Sequence, residues 1–139
     1  MSKIEVKNLN LVFGSRRDEA LELMEEKKTK DEILKKTGCT VAVNNANYNI
    51  EEGEVFVVMG LSGSGKSTML RCFNRLIEPT SGQIIVDGED VLEKDKKGLE
   101  HVRRKQMTMV FQHFGLLPHR TVWSNVAFGL EIQGIEEET

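Results

Sequence analysis

The run Val55-Phe56-Val57-Val58-Met59 leads directly into Gly60-Leu61-Ser62-Gly63-Ser64-Gly65-Lys66-Ser67-Thr68, after which Met69, Leu70, Phe73 and Leu76 recur at helical spacing. An apolar run without alternation suits a strand covered on both faces of a parallel sheet. The order is then strand, glycine loop, helix, and the loop fits G-x-x-x-x-G-K-[ST] in the setting that gives the pattern its meaning. Its glycines let successive backbone N–H groups curl round an anion, and a helix beginning near Lys66 turns the positive end of its dipole toward the same place. In such a loop Lys66 reaches the β- and γ-phosphates of a nucleotide, and the Ser67 hydroxyl ligates Mg²⁺. The expectation is an α/β P-loop NTPase domain; the plain alternative is a glycine-rich turn with a surface lysine.

Working outward, residues 4–13 alternate imperfectly at Ile4, Val6, Leu9, Leu11 and Phe13 and read as an edge strand. Residues 15–38 change to charged helix formers, with Thr29-x-x-Glu32 as a capping box and Gly38 as a stop, and read as a helical hairpin inserted between two strands. Seven basic and seven acidic residues cancel there, as on a solvated surface. Residues 41–50 form the next strand, ahead of a turn at Glu51, Glu52 and Gly53. Beyond the glycine loop, residues 68–76 continue as a helix that Pro79 and Gly82 end, and residues 84–92 read as a hairpin on Asp87-Gly88. A short basic helix over 99–105, a buried strand over 107–111, a loop over 112–120 and a helix capped by Thr121 complete the pattern. The final residues carry charged helix formers and no breaker, which reads as a pattern cut short.

Further parts of an NTPase are sought on either side. Ile84-Ile85-Val86-Asp87 imitates an apolar strand ending in a Mg²⁺-holding aspartate, but it comes too soon after the loop helix to cross back into a parallel sheet, and Gly88 makes Asp87 a hairpin corner. No N-K-x-D element for guanine occurs. Gln112 follows the apolar run at 107–111 and would emerge at the carboxyl end of a parallel strand, where ligands of open α/β sheets gather. Its amide there can ligate Mg²⁺ and orient an attacking water; a solvated loop glutamine is the alternative.

The chain has 139 residues, 39% hydrophobic and 29% charged, enough for one domain with its own core. Net charge is −3, so no global basic field exists to hold nucleic acid. Cys39 and Cys72 form no C-x-x-C pair, and His101, His113 and His119 form no H-x-x-x-H pair, so neither a disulfide framework nor a metal centre is indicated. The longest uninterrupted apolar run is too short to span a bilayer, and the first residues lack a signal-peptide core, which leads us to expect a soluble chain that is not exported.

Three stretches resemble the ATP-binding subunits of ABC transporters: G-L-S-G-S-G-K-S-T-M-L-R with N-R-L-I-E-P-T-S-G (60–82), V-R-R-K-Q-M-T-M-V-F-Q-H-F-G-L-L-P-H-R-T-V (102–122) and A-F-G-L-E-I-Q-G (127–134). The insertion ending K-D-E-I-L-K-K-T-G (30–38), together with N-R-L-I-E-P-T, is similar to the quaternary-amine (glycine betaine/proline) importer branch in particular. The resemblance covers essentially the whole chain. It implies the N-terminal half of an ABC-type nucleotide-binding domain with its antiparallel β subdomain, binding ATP and Mg²⁺. It assigns Phe13 to adenine stacking, a role that an ordinary core position rivals, and matches Gly60, Ser62, Gly63, Ser64, Gly65, Lys66, Ser67 and Thr68 to the phosphate loop. Gln112 matches the Q-loop glutamine. Residues 114–122, with Phe114, Leu116 and Leu117 exposed, match the surface that receives a helix from a transmembrane permease subunit.

The implied assembly is a cytoplasmic dimer of ATP-binding subunits, peripheral on the inner face of the membrane, driving uptake of a quaternary-amine osmoprotectant. Cys72-Phe73 departs from the more usual Leu-Leu, which touches packing. The family's L-S-G-G-Q signature, its strand ending Asp-Glu and its switch histidine have no counterpart in these residues. The chain alone is therefore expected not to hydrolyse ATP, and the rival reading is a nucleotide-binding module without turnover. A small-molecule kinase is disfavoured because no substrate-side acid or arginine lid is found. In proteins of this type two later strands separate 55–59 from 107–111, so here both runs are expected to keep unpaired edges and uncovered apolar faces.

Overall fold

Strand β1 (Ser2–Phe13) is paired along both edges. β2 (Thr40–Glu51) runs antiparallel on one side, from Ile4 opposite Ile50 to Phe13 opposite Thr40. β3 (Ser81–Val86) runs antiparallel on the other, from Ile4 opposite Val86 to Asn10 opposite Ser81. β4 (Glu89–Asp90) completes the order β2-β1-β3-β4. The strand expected at a sheet edge is thus central. Alternation reports which face is buried and says nothing about neighbours within the sheet, so it could not reveal that the 81–86 segment returns to the free side of β1. Asp87 (φ 51°) and Gly88 (φ 82°) make the β3–β4 turn, as their pairing in sequence predicts. Asp87 is held there by Lys3 at 2.7 Å, a corner residue and not the end of a core strand.

This computed structural model describes residues 2–112 and 115–135 and comprises two compact units, Met1–Thr108 and Met109–Thr139. In the first unit the sheet buries different residues on its two faces. Val6, Leu9, Leu11, Val43 and Ile84 join Met69, Cys72 and Phe73 in the larger core. Val12 and Val41 join a smaller one with Ala20, Leu23, Met24, Ile33 and Cys39. Leu11 and Val12 are neighbours in a strand, so they point to opposite faces and enter separate cores. Burial pushes the Cys72 thiol up to about 11 and the Tyr48 hydroxyl, bonded to Met69 Sδ at 3.6 Å, up to about 12; both stay neutral.

The smaller core is built by the insertion, α1 (Arg17–Glu25) and α2 (Lys30–Thr37). Thr29 accepts from the Glu32 amide while the Glu32 carboxylate accepts from the Thr29 amide at 2.8 Å, the capping box read from sequence. These bonds hold the Glu32 carboxyl below its ordinary pKa. Gly38 ends α2 in the left-handed region.

Between β1 and β2 the register slips near two asparagines with positive φ, Asn8 (48°) and Asn45 (46°). Side chains replace the missing ladder bonds: Asn47 Oδ1 accepts from the Asn8 amide at 2.8 Å, and Asn10 Oδ1 accepts from the Asn45 amide at 2.7 Å.

Three expected elements differ. Among the described residues, no strand pairs with 55–59. Phe56 stacks on Tyr48 (4.9 Å, 10°) and Val58 packs on the larger core, while Val55, Val57 and Met59 stand 87%, 66% and 86% exposed. An apolar run without alternation needs a covering layer on each face, and here only one is present. Residues 107–111 likewise form no strand: Val110 is 94% exposed and Phe111 50%. The basic helix expected over 99–105 begins earlier: the loop helix α3 (Lys66–Phe73) is followed by α4 (Lys96–His101), which widens into a π-helical turn over Val102–Gln106. Val102 is buried in the larger core, and that anchor takes the turn inward.

Gly82 (φ 103°) lies where β3 crosses β1, and a Cβ there would stand 2.5 Å from the Asn8 carbonyl oxygen. Gly82→Ala should lower stability by about 1–3 kcal/mol in urea denaturation followed by circular dichroism. An unchanged midpoint would mean that the strands can part without loss.

Candidate functional site

The glycine loop is anchored to the sheet through one close approach. Gly65 (φ 95°) precedes α3, and a Cβ on it would lie 2.4 Å from the carbonyl oxygen of Ala42. Ala42 is the extra residue of a β2 bulge, since Val12 pairs with Val41 and Leu11 with Val43. Ser64 closes the loop through its amide to the Leu61 carbonyl at 3.2 Å. Lys66 folds over it, its Nζ donating to the carbonyls of Gly60 (2.8 Å) and Leu61 (2.7 Å) and to Ser64 Oγ (3.3 Å). The first turn of α3 has no acidic residue and no side-chain cap, so its amides are presented toward the loop.

A cleft of about 310 Å³ opens here, lined by Ala42, Asn44, Gly60, Ser64, Lys66 and, from α2, Lys30. The structure therefore brings Gly60, Ser64, Gly65 and Lys66 together. Ser62 and Gly63 form the turn between them, Ser67 is exposed on the first turn of α3, and Thr68 is half-buried behind it. Among the described residues no three His, Cys, Asp or Glu side chains cluster to hold a metal. Phe13 is 42% exposed and belongs to neither core cluster. It lies opposite Thr40, two residues along β2 from Ala42.

In the second unit Gln112 is exposed at a bend instead of ending a paired strand. His113 and Phe114 lie outside the described residues. The loop that follows is organised by a residue sequence reasoning missed. Asn125 of α5 (Val122–Glu131) receives the Leu117 amide on Oδ1 at 2.8 Å and donates through Nδ2 to the carbonyls of Leu117 (3.1 Å), Arg120 (3.3 Å) and Thr121 (2.9 Å). Thr121 caps α5 through the Ser124 amide at 3.1 Å, as read from sequence. Arg120 stacks over Phe128 at 4.9 Å and pairs with Glu131. The result is an apolar cleft of about 340 Å³ lined by Leu116, Leu117, Pro118, Val122 and Val126. No sequence pattern distinguishes Asn125 from a surface asparagine; neither Lys30 nor Ala42 carried a signal either.

Asn125→Ala should speed amide hydrogen exchange at Leu117 by about tenfold or more while α5 keeps its protection, because the loop loses the side-chain acceptor for that amide. Unchanged exchange at Leu117 would deny Asn125 this holding role.

A glycine loop that closes round a lysine at the start of a helix, seated on a mixed helix and antiparallel-sheet unit, defines the N-terminal part of a P-loop nucleotide-binding domain. The profile of the ABC transporter family matches residues 43–139, and the chain belongs to that family. It is 56% identical over 138 residues to the glycine betaine/carnitine transport ATP-binding protein of Listeria monocytogenes, covering 99% of this chain and 35% of the relative. It is 52% identical over 136 residues to the glycine betaine/proline betaine transport system ATP-binding protein of Escherichia coli, covering 98% and 34%. Among solved structures, a post-hydrolysis dimer of the ATP-binding cassette MJ0796 bound to ADP and Pi superposes with a TM-score of 0.71 at 29% identity, over 98% of this chain and 49% of that one. The chain thus spans about a third of the length of the curated relatives it matches.

Proposed function

We propose that this chain is the ATP-binding portion of a subunit that powers import of a quaternary-amine osmoprotectant of the glycine betaine or proline type. The observation that carries the reading is the loop at Gly60–Thr68: a backbone cradle with Gly65 pressed on the Ala42 carbonyl and Lys66 poised above it. The residues fit a nucleoside triphosphate. The carbonyls of Gly60 and Leu61 release the Lys66 ammonium when phosphate oxygens replace them, and the amides of the first turn of α3 donate to the same anion. Ser67, exposed on that turn, is placed to ligate Mg²⁺, the remaining ligands coming from phosphate and water. Phe13 offers an exposed aromatic face for the base. In this reading Gln112 serves Mg²⁺ and the attacking water.

Bound Mg²⁺ would neutralise charge on the terminal phosphates; proton transfer from water is a separate matter. Among the described residues the cleft at the loop is lined by no carboxylate, and the Gln112 amide cannot accept the proton. The chain on its own is therefore a binder without turnover, and hydrolysis belongs to the complete subunit paired with a second copy across the nucleotide.

The apolar cleft at Leu116, Leu117, Val122 and Val126 suits a short helix of a transmembrane permease partner. Among the described residues no helix is long and apolar enough to cross a membrane. Its place in this reading is at the cytoplasmic face, held by that partner.

Lys66→Ala should abolish measurable ATP binding in equilibrium dialysis, through loss of the ammonium that faces the terminal phosphates. Phosphate release by the parent chain should stay at the level of buffer. ATP binding equal in mutant and parent sinks the site; sustained release that vanishes with Lys66→Ala means that a base exists elsewhere in the chain.

A further inference from the structure

We propose that Lys30, on the inserted helix α2, is a second phosphate-facing cation of the nucleotide cleft. This rests on the reading of that cleft as an ATP site and extends it to the insertion. Lys30 lines the cleft together with Gly60, Ser64 and Lys66, although it lies thirty residues before the start of the loop, on a helix whose buried Ile33 joins the smaller core.

Three observations converge on it. The first is electrostatic conflict within its own helix. Lys30 is the first residue of α2, directly after the Thr29 cap, where the positive end of the helix dipole repels a cation. The next two positions, Asp31 and Glu32, carry the charge that this end favours. A lysine that local structure disfavours is placed there by something outside the helix.

The second is the absence of an internal partner. The two arginines of the insertion are engaged: Arg16 pairs with Glu19 and donates to the Lys36 carbonyl at 2.9 Å, and Arg17 donates to the Gly14 carbonyl at 3.1 Å. The carboxylate of the capping box, Glu32, is occupied by Thr29. Among the described residues the exposed Lys30 ammonium has no ion pair or hydrogen bond.

The third is the composition of the cleft, which among the described residues holds two lysines and no carboxylate. A polyphosphate seated in it meets Lys66 from α3 on one side and Lys30 from α2 on the other. The insertion then ceases to be a neutral surface ornament. It becomes a wall of the site, and nucleotide binding draws α2 and the loop together.

The test is calorimetric binding of Mg²⁺-ATP and of inorganic tripolyphosphate to the parent chain and to Lys30→Ala, Lys30→Arg, Lys35→Ala and Lys66→Ala. Lys30→Ala should weaken both ligands about two- to fivefold at low salt, the size of one partly screened charge contact. The difference should fade toward about 1 M salt, where the Debye length is near 3 Å. Lys30→Arg should restore parental affinity, and Lys35→Ala, on the same helix but outside the cleft, should match the parent. Thermal melts should leave Lys30→Ala no less stable than the parent, since the substitution removes a charge opposed to the dipole.

Parental affinity in Lys30→Ala alongside lost binding in Lys66→Ala would overturn this inference and leave the ATP site standing. No binding by the parent would overturn both. A loss for ATP with none for tripolyphosphate would move Lys30 to the base or sugar and overturn the phosphate assignment. Equal losses in Lys30→Ala and Lys35→Ala would reduce the effect to the general field of the insertion.

Discussion

Both hydrogen-bonding edges of β1 are occupied, and the first unit is organised by that fact. β2 on one side brings the bulge that receives the glycine loop; β3 on the other brings the Ile84 and Val86 side chains under α3. A backbone strand left open on either side would carry unpaired amides and carbonyls in a buried setting, which folded chains avoid. The insertion, the loop and the hairpin are each tied to this strand or to one of its two partners, so the geometry of the cleft is inherited from pairings formed by segments far apart in sequence.

The phosphate loop was legible because its chemistry constrains residue type at nearly every position. Left-handed backbone at Gly63 and Gly65 and a lysine at the first helical position leave little freedom, and the helix does begin at Lys66. The capping box at Thr29 and Glu32, the Asp87-Gly88 turn and the Thr121 cap were legible for the same reason: each is a local hydrogen-bonding or dihedral requirement met by neighbouring residues.

What escaped the sequence is what depends on distant partners. The central position of β1 is set by β3, some seventy residues later. The positive-φ asparagines Asn8 and Asn45 give their backbone amides to the side chains of Asn47 and Asn10 on the opposite strand, partners that no local pattern reveals. The bulge at Ala42, against which the loop sits, is a further register shift, between Leu11 and Val12 of β1. The apolar run 55–59 is suited to double coverage, and Phe56 on Tyr48 with Val58 on the core provides half of it. The position of Gln112 at a strand end depends on pairing of 107–111, and that strand does not form among the described residues.

The two cores of the first unit each enclose one thiol. Cys39 is buried with Val12, Ala20 and Ile33 beneath the insertion, and Cys72 is buried with Met69 and Ile84 beneath α3. The chain consequently carries two internal reporters, one per core, that a thiol-reactive dye reads independently. Loosening of the insertion alone unmasks Cys39 while Cys72 stays shielded, so the ratio of their labelling rates separates partial opening on one face of the sheet from collapse of the whole.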